Sequence, residues 1–297
     1  MNLRSNELAF ERFHPFVLFL YYMTIIFFSM FTTNPILLGI SLIGSLGYLL
    51  IIAKSVWKVI LYYAVIFMII MLTNPLFVHN GETILFFMND KPVTLEAFLY
   101  GGMVGLMIVS IIFWFKSYNE VMTSDKFIYL FGNIAPKISI TLSMILRYVP
   151  LFKEQIKKIN MTQKTLGLYA SDSYSDKLLS GLRVFRSLIG WSLENSVDVA
   201  RSMKSRGYGL KGRTHFSLFK FYFEDALLLG MNLIFLMTIF LMVKSGIVSI
   251  NYYPLVDPFY FTTQTVLLYI GTGLFVLLPT LIEMKEQLLW RLLISKI

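Results

Sequence analysis

Residues 13–53 read FHPFVLFLYYMTIIFFSMFTTNPILLGISLIGSLGYLLIIA, 41 consecutive positions without an Asp, Glu, Lys or Arg. A helix that crosses a bilayer needs about 20 mostly apolar residues, so this run holds two. Thr32-Thr33-Asn34-Pro35 divides them, because a proline pushes the residue before it out of the helical region. The same test applied outward from spans at about 14–31 and 35–53 adds spans at about 57–73 (closed by Thr73-Asn74-Pro75), 97–115, 226–243 and 258–282. The whole chain agrees: 57% of its 297 residues are hydrophobic, 14% are charged, and the mean hydropathy is +0.69. A soluble domain carries about 25% charged residues, which excludes a soluble enzyme. The expected fold class is an all-α integral membrane protein with about six transmembrane helices.

Charge sets the orientation. With six spans, both termini lie on one side together with the 54–58 loop and the long segment 116–221. That side carries 24 of the 26 lysines and arginines, leaving Lys91 and Lys244 on the other. Basic residues concentrate on the cytoplasmic side of membrane proteins, so both termini are expected in the cytoplasm. The chain divides accordingly into spans one to four over 1–115, a cytoplasmic module over 116–221, and spans five and six with a cytoplasmic C-terminus over 222–297. The basic N-terminus before an apolar run reads as a retained anchor, since that run is too long for a signal peptide.

No span carries an acidic or basic residue near its centre; Glu96, Glu224, Asp225, Asp257 and Glu283 all fall at edges. Intramembrane ionisable residues mark proton relays and ion pathways, and their absence argues against a self-contained ion-driven transporter. Cysteine is absent and the three histidines are far apart, so no metal site and no cofactor is expected. Gly101 and Gly105 form a G-x-x-x-G that reads as helix packing within the chain.

The segment 116–221 holds seventeen basic and seven acidic residues and no phosphate-binding loop of the G-x-x-x-x-G-K-[ST] type. A basic stretch beside a membrane is explained by the cytoplasmic bias and by anionic lipid, so no nucleic acid is expected as a partner. It contains two long amphipathic helices. One runs from Pro136 to about Lys164 with apolar Ile138, Leu142, Ile145, Val149, Phe152, Ile156 and Ile159, and includes Pro150. The other runs from Asp176 to Arg206 with Leu178, Leu182, Phe185, Ile189, Leu193 and Val197 at steps of three or four. Asp172 or Ser175 is placed to cap its start, and Gly207 to stop it. A shorter helix is expected over Asp125–Asn133. These apolar faces either pack on each other or bind partners, and their extent favours partners.

The stretch Asp198-Val-Ala-Arg-Ser-Met-Lys-Ser-Arg-Gly-Tyr-Gly209 resembles the end of the last coupling helix in the transmembrane T component (EcfT/CbiQ family) of energy-coupling factor (ECF) transporters. In that family an Ala-Arg-Gly tripeptide closes the helix, and Ser205-Arg206-Gly207 stands in its place. Leu146-Arg-Tyr-Val-Pro-Leu151 is similar to a second family stretch, and the Asn34-Pro35 turn and order of spans agree. The family's first motif, with a central arginine after a glutamine, falls at Gln163–Leu168. There Thr165-Leu166-Gly167 has leucine where the arginine belongs, which leaves open a lost contact or an ATPase that differs to suit.

The resemblance implies a scaffold and coupling subunit of an ABC-type importer of vitamins or transition-metal ions in a prokaryotic cell membrane. Its partners would be two cytoplasmic ABC ATPase subunits and a membrane-embedded S component. Ser205, Arg206 and Gly207, with the degenerate Thr165, Leu166 and Gly167, would meet the ATPases, and the apolar Leu178, Leu182, Phe185 and Ile189 would face the S component. The chain itself would bind no nucleotide and catalyse nothing. Two other readings stand beside this one. A permease that lines its own substrate path would need polar residues facing that path. A lipid-modifying enzyme would need catalytic acids, for which Glu96 and Glu224-Asp225 are the only candidates.

Overall fold

The computed structural model describes residues 8–52, 56–88, 91–132, 135–167, 174–210, 219–259 and 261–294. After a 3₁₀ turn at Ala9–Arg12 come α1 (Pro15–Phe31), α2 (Pro35–Ile52), α3 (Val56–Phe77), a hairpin of β1 (Ile84–Met88) and β2 (Lys91–Thr94), and α4 (Leu95–Val121). Then follow α5 (Ser124–Gly132), α6 (Pro136–Thr165), α7 (Tyr174–Ser205), α8 (Phe223–Lys244) and α9 (Thr263–Ile294). Among the described residues, α2, α3, α4, α8 and α9 each hold a stretch long and apolar enough to cross a bilayer. The apolar α1, at 17 residues, meets the lower limit of about 17. This is an all-α multi-pass membrane protein.

The break between α1 and α2 is built by the residues that signal it. Asn34 is buried; its Oδ1 accepts from the Ile36 N–H at 3.0 Å, and its Nδ2 donates to the Ile247 carbonyl at 2.8 Å. Two other span ends differ from expectation. α3 continues through Pro75 to Phe77 because Asn74 Nδ2 donates to the Ala97 carbonyl at 2.7 Å, tying this turn to α4. α9 starts at Thr263 rather than 258. Residues 251–257 are knitted by the Asn251 N–H donating to Asp257 Oδ2 and the Asp257 N–H donating to the Asn251 carbonyl, and Thr262 exchanges bonds with the Thr265 hydroxyl at the helix start.

The described residues fall into two compact units, one drawn from Met1–Lys126 with Phe219–Ile297 and one from Phe127–Leu218. In the first, Tyr21, Tyr22 and Tyr48 pack edge-on around Phe10, with Trp114 against both Tyr21 and Tyr22. Some of the polar groups inside the spans bond one another. Ser29, Ser41 and Ser110 form a hydroxyl chain at 2.7 and 2.9 Å, joined by the Trp114 indole N–H at 3.0 Å. Thr24 donates to Asn232 at 3.0 Å, so α1 is tied to α8 as well as to α2 and α4. Small residues set the crossings: a Cβ on Gly101 would meet the Met71 carbonyl at 2.9 Å, and one on Gly44 would overlap Val276. The Gly101/Gly105 pair thus seats α4 on α3.

Three carboxylates at span edges are buried, each holding backbone. Asp225 accepts from the His14 N–H at 2.6 Å and the Tyr222 N–H at 2.8 Å. Glu283 accepts from Ala9 N–H at 2.9 Å, and Glu96 accepts from Thr83 through its hydroxyl at 2.7 Å and its N–H at 3.2 Å.

Candidate functional site

α6 and α7 are the longest helices of the second unit, at 30 and 32 residues. They meet through Phe152 and Trp191, whose rings pack edge-to-face at 5.8 Å, with Tyr148 stacked on Phe152 at 5.9 Å. On α7 the face that meets neighbours carries the buried Ser180 and Val184 and the half-buried Leu188, Trp191 and Val199. Positions two apart on a helix point about 200° from each other. The apolar stripe Leu178, Leu182, Phe185, Ile189, Leu193 and Val197 therefore lies on the other side, and all six are 42–64% exposed. Among the described residues this stripe is not packed on α6. α6 behaves differently: Leu142, Phe152, Ile156 and Ile159 are half-buried, whereas Ile138, Ile145 and Val149 of the same expected face are exposed.

The start of α7 corrects one expectation. The helix begins at Tyr174, so Ser175 is a first-turn residue and not the cap. Asp172, the other capping candidate, lies outside the described residues, as does Leu168 at the end of the first tripeptide's stretch.

The two helices end alike. At the end of α7 the Gly207 N–H bonds the Lys204 carbonyl at 3.1 Å, the Tyr208 N–H bonds the Met203 carbonyl at 3.0 Å, and Gly207 has φ +80°. This is a Schellman ending, in which a left-handed residue after the cap lets two N–H groups satisfy carbonyls of the last turn. Arg206 is the cap residue and is exposed, with no ion pair among the described residues. At the end of α6 the Gly167 N–H bonds the Lys164 carbonyl at 3.1 Å with φ +70°, and Leu166 is the cap. Even the preceding residue matches: Ser205 Oγ donates to Ser202 and Thr165 Oγ1 to Thr162, each three residues back, at 2.9 and 2.8 Å. Leu166 is 68% exposed. Both tripeptides thus present an outward side chain from a rigid helix tip. One tip carries a permanent cation with five donors, and the other a bare isobutyl group.

No group of three or more His, Asp or Glu able to hold a metal ion occurs among the described residues. Of the acids considered for catalysis, Glu96 and Asp225 are committed to holding backbone, and Glu224 is exposed at the start of α8.

The profile of CbiQ, the cobalt transport protein family, matches residues 11–216, a stretch that takes in α1–α7 and both helix tips. The chain belongs to the CbiQ family. A transmembrane protein of an energy-coupling factor transporter, EcfT of Listeria innocua serovar 6a, is 33% identical over 95 residues. That alignment covers 31% of this chain and 36% of the relative, so the match spans about a third of the relative's length. As a CbiQ member the chain is a membrane component of the transport type. The glycine stop of α7 is legible in the sequence from Gly207, whereas the division of α7 into a seam face and an outward face is not, because apolar residues recur at helical spacing on both.

Proposed function

We propose that this chain is the coupling scaffold of an ECF-type importer. In this reading residues 116–221 are a cytoplasmic module, both termini are cytoplasmic, and the assembly sits in a prokaryotic cell membrane. Two ABC ATPase subunits take up the tips of α6 and α7, and a small membrane-embedded S component takes up the outward stripe of α7. The imported solute is a micronutrient, a vitamin or a transition-metal ion, and its recognition resides on the S component. ATP is hydrolysed in the ATPases, and this chain passes on the motion.

The observation that carries the reading is the pairing of two rigid helix tips with an uncovered apolar stripe on the same helix pair. A Schellman ending satisfies two carbonyls of the last turn, so in this reading a displacement of Arg206 is passed along α7. Each large apolar side chain removed fully from water contributes about 1.5–3 kcal/mol, so a stripe of six favours a covering partner strongly. A permease with its own path is disfavoured by the spans, where Ser29, Ser41, Ser110, Thr24 and Asn232 are buried and bonded to one another rather than facing a passage.

Gentle purification of the tagged full-length chain from native membranes tests this. Two ATPase chains and one small polytopic protein should accompany it, and ATP hydrolysis should be found in the complex. A chain that purifies alone and moves a solute in vesicles unaided overturns the proposal.

A further inference from the structure

The β1–β2 hairpin between α3 and α4 has no part in the reading above. In a protein sheet one face is normally buried, so exposure alternates along a strand. In β1 it does not: Ile84, Leu85, Phe86, Phe87 and Met88 are all 47–67% exposed. Disorder does not account for this, because the hairpin base is tied down. The Leu95 N–H bonds the Thr83 carbonyl at 3.0 Å, the Thr94 hydroxyl bonds the Asn80 carbonyl at 2.8 Å, and Thr83 is held by the buried Glu96. Val93 and Thr94 of β2 are buried. A tied-down base therefore holds out β1, an apolar strand whose side chains are exposed on both faces.

We infer that this hairpin lies shallowly in the interfacial layer of the bilayer, with the Ile84–Met88 ribbon against lipid. Three observations select lipid as the occupant. The ribbon continues a lipid-type surface, since only 6% of the Ile60–Phe77 stretch of α3 is buried and its last residue, Phe77, is 80% exposed. Both faces are apolar, which suits a fluid surrounding medium, whereas a docked protein covers one face and leaves the other. Charges flank the ribbon, with exposed Glu82 before β1 and exposed Lys91 opening β2, at positions that reach headgroups if the hairpin lies flat. Depth follows from the backbone. A two-stranded ribbon leaves its outer N–H and C=O groups unpaired, which hydrocarbon does not tolerate and the wet headgroup layer does. The inference rests on α3 and α4 spanning the membrane and not on the transport reading.

The chain has no cysteine, so single cysteines can be placed without removing native ones. Ile84→Cys, Leu85→Cys, Phe86→Cys, Phe87→Cys and Met88→Cys are spin-labelled in the full-length protein in phosphatidylcholine vesicles. Collision with oxygen and with a water-soluble nickel chelate is then measured. All five labels should favour oxygen several-fold over the chelate relative to an aqueous reference at Glu194→Cys, without alternation, and less strongly than a label at Ile69→Cys in α3. Chelate access equal to the reference at all five sites would place the ribbon in water and overturn the inference. Alternate positions closed to both reagents would do so by showing a docked protein, and values matching Ile69→Cys would overturn the shallow placement.

Discussion

The tips of α6 and α7 share one backbone ending and differ in the side chain they display. Gly167 and Gly207 adopt left-handed φ of +70° and +80°, and each closes the same five-to-two hydrogen bond on the last turn. The termination is therefore encoded by glycine, and the cap side chain is free to carry something else: leucine at 166 and arginine at 206. A helix end can thus keep its mechanical form while its binding chemistry is exchanged.

The largest expected effect breaks the charged tip. Arg206→Glu reverses the charge at an exposed cap without touching the Schellman bonds. Uptake by the assembled complex should fall to background with the helical content of the protein unchanged. Uptake at the wild-type rate would remove Arg206 from the coupling path. Next come the outward stripe residues of α7: Leu182→Glu with Phe185→Glu should leave the Phe152–Trp191 seam intact and, on the proposed coupling role, detach a small membrane partner while ATPase subunits remain. Retention of that partner in the purified complex would show that it binds elsewhere.

How much was legible beforehand differs between these regions for physical reasons. The spans were legible because charge-free length is a strong signal, and the Asn34-Pro35 break because its residues carry out the turn they announce. The bounds of α6 and α7 were legible from Pro136 and Gly207. The outward face of α7 was not, since Leu178–Val197 and Leu188–Val199 both satisfy helical spacing and only packing chooses between them. The hairpin was missed because Ile84–Met88 is five apolar residues in a row, without the alternation that signals a strand. The bonds from His14 to Asp225 and from Ala9 to Glu283 were equally hidden, as each joins a carboxylate to a backbone N–H more than two hundred residues away in sequence.

A smaller effect separates the two glycines. An alanine at either position is strained by about 1–2 kcal/mol in the left-handed region. At Gly207 the new Cβ also meets Leu210 Cδ1 at 3.0 Å, whereas at Gly167 it enters open space. Gly207→Ala should therefore lower the thermal midpoint more than Gly167→Ala. Equal shifts would mean that Leu210 yields freely and that backbone strain alone sets the cost.

The smallest expected effect sharpens the comparison most. Leu166 is 68% exposed, so Leu166→Arg removes little buried apolar surface and adds a charge to a tip already open to water. Stability should change by less than about 0.5 kcal/mol, the usual limit for surface substitutions away from special features. Uptake should be retained or rise if the α6 tip meets an ATPase groove built for a guanidinium. Loss of uptake with unchanged stability would show instead that Leu166 enters an apolar socket on its ATPase. The two tips would then be addressed to two different grooves, and the leucine would be a recognition element of its own, as specific in its way as Arg206.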